Sequence, residues 1–157
     1  MTTLEKFVDY SNRLRDSLAE REEVLGLVLV GSTADLGRVD EWSDHDFYVI
    51  TKDGHAESLR QDLSWLPDHE DIMWRPRETD HGLKVVYADA SVLEFAVFDD
   101  KELEAAGANA YNVTLDRSNI TERMAAIAER ILDAALAARR FSGGYLLGES
   151  AESNRPP

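Results

Sequence analysis

VLVGSTADLGRVDEWSDHDFYVI, residues 28–50, is the stretch that decides the fold. It begins inside the run VLGLVLV, residues 24–30, which is apolar throughout and rich in β-branched residues. Such a run is too short for a typical helix and reads as a buried strand. Gly31-Ser32 ends it, and the eleven residues 33–43, TADLGRVDEWS, are polar and turn-rich, with room for one helical turn. HDFYVIT, residues 45–51, is then a second strand, opened by Asp44 and Asp46. Residues two apart on a strand point to the same face, so both carboxylates project beside the place where Gly31-Ser32 stops.

Two carboxylates on one face repel each other unless a cation lies between them. Hard oxygen donors at this density suit magnesium or manganese. Gly31 carries no side chain, so backbone amides there can approach a phosphate. Ser32 adds a hydroxyl donor, and the turn after it can present a helix N-terminus to the same phosphate. A third acid is expected nearby. VLEFAVF, residues 92–98, supplies Glu94 between Leu93 and Phe95. An acid so flanked on a central strand is costly to bury without a partner, and a metal would be one. Asp89 or Asp99 takes that place if the strand register differs. Taken singly, Gly31-Ser32 reads as a plain turn, Asp44 as a turn residue and Asp46 as a solvated strand acid. The ordered combination selects the chemical reading.

Outward from this stretch, residues 3–20 have the apolar spacing of an amphipathic helix, with Leu4, Phe7, Val8, Leu14 and Leu18 recurring and Thr2 with Glu5 in capping-box form. Lys52-Asp53-Gly54 is a turn, and residues 55–65 predict a helix broken before Pro67. Residues 70–75 predict a strand. LKVVYA, residues 83–88, and VLEFAVF form a hairpin around Asp89-Ala90-Ser91. Asp99 with Glu102 predicts a short capped helix, and YNVTL, residues 111–115, a strand. Residues 119–141 predict a long Ala-rich helix with Ile120, Met124, Ile127, Ile131 and Ala135 on one face. The final GESAESNRPP is polar and reads as a frayed tail. The sum is an α/β (α+β) domain with a mixed sheet flanked by helices. The division expected is a core domain over 1–117, a C-terminal helix over 118–141 that packs on it or mediates an interface, and a flexible tail over 142–157.

The 157 residues suit one domain, and 43% apolar with 31% charged residues is an ordinary globular mix. There is no cysteine, which excludes disulfides and thiolate metal sites. No apolar run approaches the roughly 20 residues that span a bilayer, and MTTLEKFVDYSNRLRD lacks a signal-peptide core, so a cytoplasmic location is expected. The net charge of −14 disfavours generic nucleic-acid binding. A nucleotide arrives with its own magnesium and is not excluded.

The order of apolar strand, Gly-Ser, a loop, Asp-x-Asp on the next strand and a third acid on a later strand resembles the nucleotidyltransferase superfamily, the group with a DNA polymerase beta-like fold. The resemblance spans residues 24–98 and is nearest to bacterial antibiotic nucleotidyltransferases and minimal nucleotidyltransferases. It implies a nucleotidyltransferase fold, two magnesium ions with manganese as a substitute, and ATP or another nucleoside triphosphate as donor. By the same resemblance Gly31 and Ser32 hold the β and γ phosphates, Asp44 and Asp46 ligate both metals, and Glu94 ligates the catalytic metal or acts as general base. Arg38, in the loop between phosphate turn and acids, is the favoured phosphate clamp over Arg75, Arg77 and Lys84. His45 departs from the aliphatic residue usual between the acids, and points to the opposite face. His55, His69 and His81 read as surface residues, and Trp42 and Trp74 as packing rather than base-stacking residues.

The function implied is transfer of a nucleoside monophosphate, AMP from ATP first, to a hydroxyl of a small acceptor such as an aminoglycoside or lincosamide-like compound. The alternative is a minimal nucleotidyltransferase antitoxin that modifies or masks a helical toxin protein. A silent binding module that keeps the fold is a third. Expected partners are the triphosphate and a small-molecule or protein acceptor, with homodimerisation open, and neither nucleic acid nor membrane.

Overall fold

The computed structural model describes residues 1–40, 43–107 and 110–145, with side chains as far as Arg140. Six strands form one mixed sheet: β1 (Val24–Val30), β2 (His45–Thr51), β3 (Ile72–Trp74), β4 (Gly82–Tyr87), β5 (Val92–Asp99) and β6 (Tyr111–Asp116). Their spatial order is β3-β4-β5-β2-β1-β6. Only β2 and β5 run parallel; the other neighbours are antiparallel. The parallel pair is at the centre, joined by α2 (Ala56–Gln61), β3 and β4. Strands buried on both sides carry continuous apolar runs, which is why VLGLVLV could be read as a strand with no alternation to guide it.

One sheet face is covered by α1 (Thr3–Ala19) and α2. Helix α1 starts on the expected capping box: the Thr2 hydroxyl accepts from the Glu5 amide at 3.1 Å, and the Glu5 carboxylate accepts from the Thr2 amide at 3.4 Å. Its Tyr10, Leu14 and Leu18 enter a core with Leu27, Leu29, Phe47, Val49, Leu93 and Phe95. Phe47 and Phe95 stack with centroids 4.9 Å apart, and Trp65 meets both edge-on. Each large side chain buried this way contributes about 1.5–3 kcal/mol.

The other face is covered in part by α3 (Ile120–Tyr145), through Ile120, Met124 and Ile127 on Val28, Val30, Ile50 and Phe98. Asp116 starts this helix, its two carboxylate oxygens accepting from the amides of Ser118, Ile120 and Thr121. Gly26 lets the first turn lie close, since a Cβ there would stand 2.8 Å from the Ile120 side chain.

Three expectations are corrected. The helix expected over 55–65 ends at Gln61, and Asp62 turns extended. The chain leaves the helix so that Leu63, Trp65 and Leu66 can all be buried, with the Trp65 indole donating to the Leu59 carbonyl at 2.9 Å. The C-terminal helix runs to Tyr145, through Gly143 and Gly144 and into the stretch expected as tail. Each of those glycines costs about 1 kcal/mol of helix propensity, a weak preference that does not end the helix. The apolar face named for that helix holds only in its first half: Ile131 is half-buried and Ala135 exposed. Residues 146–157 of the expected tail lie outside the described residues.

Candidate functional site

The parallel register of β2 and β5 sets Asp46 beside Glu94, and the antiparallel register of β4 and β5 sets Lys84 beside Glu94. Asp44 lies just before β2, two residues from Asp46. By register Asp46, Glu94 and Lys84 share one sheet face, the face that α3 covers elsewhere. Asp44, Asp46 and Glu94 are near enough to act on one another. Asp46 has a carboxyl raised to about 6, first by burial, then by the charges of Glu94 and Asp44. Asp44 is also raised, by burial and by Glu94, with Lys84 acting against them.

Asp46 is the least satisfied member. Its Oδ1 is buried with no hydrogen-bond partner among the described residues. Its backbone amide donates to the Thr33 hydroxyl at 2.9 Å. Gly31, on the turn after β1, packs against its other oxygen: a Cβ on Gly31 would stand 2.9 Å from Oδ2, and Gly31 has φ +60°. Only glycine takes both that backbone conformation and that approach without strain. An orphaned buried carboxylate oxygen costs about 1–3 kcal/mol or more, which a cation at that oxygen would relieve.

The turn itself differs from expectation. A 3₁₀ turn over Gly31–Thr33 and another over Leu36–Arg38 follow β1, and among the described residues of this loop no α-helix N-terminus is presented. The reason is local: the Ala34 and Asp35 amides both donate to the Gly31 carbonyl, which closes the turn on itself. The Ser32 hydroxyl makes no hydrogen bond among the described residues. Arg38 is exposed and pairs with none of the acids there. Arg75 donates to the Arg60 and Gln61 carbonyls, and Arg77 forms a double ion pair with Glu57, so both are committed elsewhere.

Glu94 departs from the sequence reading in two ways. Its side chain is 44% exposed, so it carries no burial cost that demands a metal. Its Oε1 is already paired, with the Lys84 ammonium at 3.0 Å. The three carboxylates are therefore neighbours but not an assembled ligand set, and among the described residues no three acidic or imidazole groups converge to hold a metal ion. The two substitutes are engaged locally: Asp89 accepts from the Ser91 amide, and Asp99 accepts from the amides of Lys101 and Glu102 ahead of the 3₁₀ turn over Glu102–Ala105. Glu102 answers by accepting from the Asp99 amide, the reciprocal cap expected there.

Two contacts were missed: that of Thr33 with Asp46, and that of Lys84, named from sequence only as a less favoured phosphate clamp, with Glu94. Thr33 ties the turn to the Asp46 backbone, a contact with no sequence signature. Lys84 was discoverable: a hairpin turning about Asp89 pairs it with Glu94, an opposite-charge cross-strand pair. His45 behaves as expected, on the far face. It stacks on Phe7 at 3.8 Å, and its Nε2 lies 3.2 Å from the Phe7 carbonyl. Burial lowers its pKa to about 4, so it is neutral near pH 7. His55 and His69 are exposed, and His81 reaches Glu102 at 3.3 Å. Trp74 is 61% exposed instead of packed, and Trp42 lies outside the described residues.

Over the rim from Asp46, an open cavity of about 840 Å³ runs between α1 and the β4–β5 hairpin, bordered by Asp44, His45, Tyr10, Asp71, Tyr87 and Asp89 among others. Asp44 borders the cavity and acts on the acids of the sheet face. No helix among the described residues is long and apolar enough to cross a membrane. No protein-family model matches the chain, and no curated protein shows significant similarity to it.

Proposed function

We propose that the chain is a nucleotidyltransferase of the DNA polymerase beta-like superfamily, moving AMP from ATP to a hydroxyl of a small acceptor. One observation carries the reading. The β2–β5 register brings Asp46 and Glu94 together from distant sequence, with Asp44, beside a glycine turn that leaves a buried Asp46 oxygen without a partner.

The donor set fits magnesium in part. Asp44 and Asp46 offer hard oxygens near one another, both carboxylates are held above their ordinary pKa by burial and by neighbouring acid charge, and one oxygen is orphaned. Glu94 would join them once released from Lys84. Bound magnesium supplies charge neutralisation for the triphosphate and its transferring phosphorus. The chain's own residues do the remainder. Gly31 and Ser32 border the triphosphate, and Glu94 receives the acceptor's proton. The acceptor oxygen forms a bond to the α-phosphorus, the bond from that phosphorus to the α–β bridging oxygen breaks, and pyrophosphate leaves. The acceptor's hydroxyl would have to reach Glu94 on the α3-side face, while the rest of the acceptor would lie toward the cavity that Asp44 borders, whose aspartates favour a cationic one, as an aminoglycoside is.

The alternative is a minimal nucleotidyltransferase that modifies or masks a helical protein partner. The outer part of α3 favours it: Leu132 and Leu136 are exposed large apolar side chains, and residues 132–140 are exposed throughout.

Incubation with labelled ATP, magnesium and a panel of hydroxyl acceptors tests both. Label transferred to a small cationic acceptor supports the first reading, and label on a protein supports the second. No transfer to any acceptor, together with magnesium–ATP binding that survives Asp44→Asn with Asp46→Asn, overturns the site assignment.

A further inference from the structure

The geometry points to Lys84 as a built-in counter-cation of this site: it occupies Glu94 until a divalent cation displaces it, and then serves the triphosphate. The inference rests on the metal-dependent reading above. Lys84 stands at the centre of β4, directly across from Glu94. Its Nζ lies 3.0 Å from Glu94 Oε1 and 4.0 Å from Glu78 Oε2, so the ammonium sits between an acid of the cluster and one outside it. Among the described residues, a single ammonium is paired with this row of three carboxylates, and it is placed on Glu94, whose side chain is 44% exposed.

A divalent cation drawn to the orphaned Asp46 oxygen needs further oxygens, and Glu94 is the next carboxylate in the row. While Oε1 of Glu94 is bonded to the Lys84 ammonium its charge is partly neutralised, so the two cations compete for one carboxylate. Once displaced, the ammonium keeps Glu78 as a resting partner. It also lies beside the acids where a metal-bound triphosphate would bring new negative charge. A flexible lysine, a compact charge on a long stem, suits such an exchange better than a planar guanidinium committed to two oxygens. A purely structural cross-strand pair would stabilise the hairpin and nothing else.

The test compares Lys84→Met and Lys84→Arg with the unaltered protein in two titrations: manganese alone, followed by electron paramagnetic resonance, and a non-hydrolysable ATP analogue with magnesium, followed by calorimetry. With manganese alone, Lys84→Met is expected to bind about two- to fivefold more tightly, the range for losing one partly exposed competing ion pair. With the nucleotide it is expected to bind about tenfold more weakly, having lost a charge-assisted partner. Lys84→Arg should keep most of the nucleotide affinity. Lys84 is a partly exposed strand residue, so methionine is tolerated, and thermal melting confirms folding. Two unchanged affinities in Lys84→Met, with manganese binding still abolished by Asp46→Asn, overturn the Lys84 role and leave the site reading standing. Absence of manganese binding in the unaltered protein overturns both.

Discussion

The two faces of β2 are built from one strand and behave as opposites. His45, Phe47 and Val49 point toward α1 and are buried, each matched by ring or aliphatic neighbours. Asp46 points the other way, beside Glu94 and near Asp44, where three acids crowd one another and an Asp46 oxygen has no partner among the described residues. On one face every local choice supports the fold. On the other, the fold tolerates a cost it could avoid with an apolar residue. Conflict between local stability and sequence at one spot marks a candidate functional position.

The largest way to break the comparison is from the satisfied side. Phe47→Ala removes the ring that stacks on Phe95 and is expected to cost about 3–5 kcal/mol in urea unfolding. The charged side answers with the opposite sign. Asp46→Asn should raise the stability of the metal-free protein at pH 7.5, because the carboxylate there is charged against its surroundings, while abolishing manganese binding. A loss of stability in that variant would show that Asp46 is a structural acid.

Acidity sharpens the contrast within two adjacent residues. His45 titrates at about 4 in the fold against an ordinary 6.5, so on acidification the unfolded chain takes the proton first. Its share of stability is full above about pH 6.5 and is lost progressively down to pH 4, in all about 3 kcal/mol. Asp46 titrates at about 6 against 3.8, so there the folded chain takes the proton first and acidification restores stability over nearly the same window. The two slopes oppose each other. With chelator present, Asp46→Asn should therefore lose stability more steeply than the unaltered protein between pH 6.5 and 4.5. Equal steepness in urea midpoints would refute the offset.

The smallest effect on folding is expected at Ser32. Replacing it with alanine should change stability by under about 0.5 kcal/mol, since its hydroxyl has no partner among the described residues. Triphosphate binding should weaken by roughly 1–3 kcal/mol if the hydroxyl faces phosphate. Melting and calorimetry of one preparation separate the two.

Most of the sheet was legible because strand pattern, turn residues and capping pairs all agree locally. The capping box at Thr2, the turn at Lys52-Asp53-Gly54 and the strands around Asp89-Ala90-Ser91 are of that kind. That Asp46 faces away from His45 and Phe47 followed from a period of two. The partners of those acids were harder to read. Whether Glu94 is buried or paired depends on what lies across the sheet, and Thr33 acts through a turn whose shape the sequence leaves open. The end of α2 was misjudged for the same reason: Leu63, Trp65 and Leu66 answer to the tertiary core and override local helix preference.

The central parallel pairing also governs when the acids meet. β2 and β5 are neighbours only after α2, β3 and β4 have been placed between them in the chain, so Asp46 and Glu94 form a late, long-range contact whose loop-closure entropy must be met first. Topologies of that kind fold slowly compared with local hairpins. The β4–β5 hairpin, and with it the Lys84–Glu94 pair, can form early, whereas the complete row of acids exists only in the finished sheet. If the acids bind manganese as proposed, its binding in a stopped-flow refolding experiment is expected to follow formation of the β4–β5 hairpin.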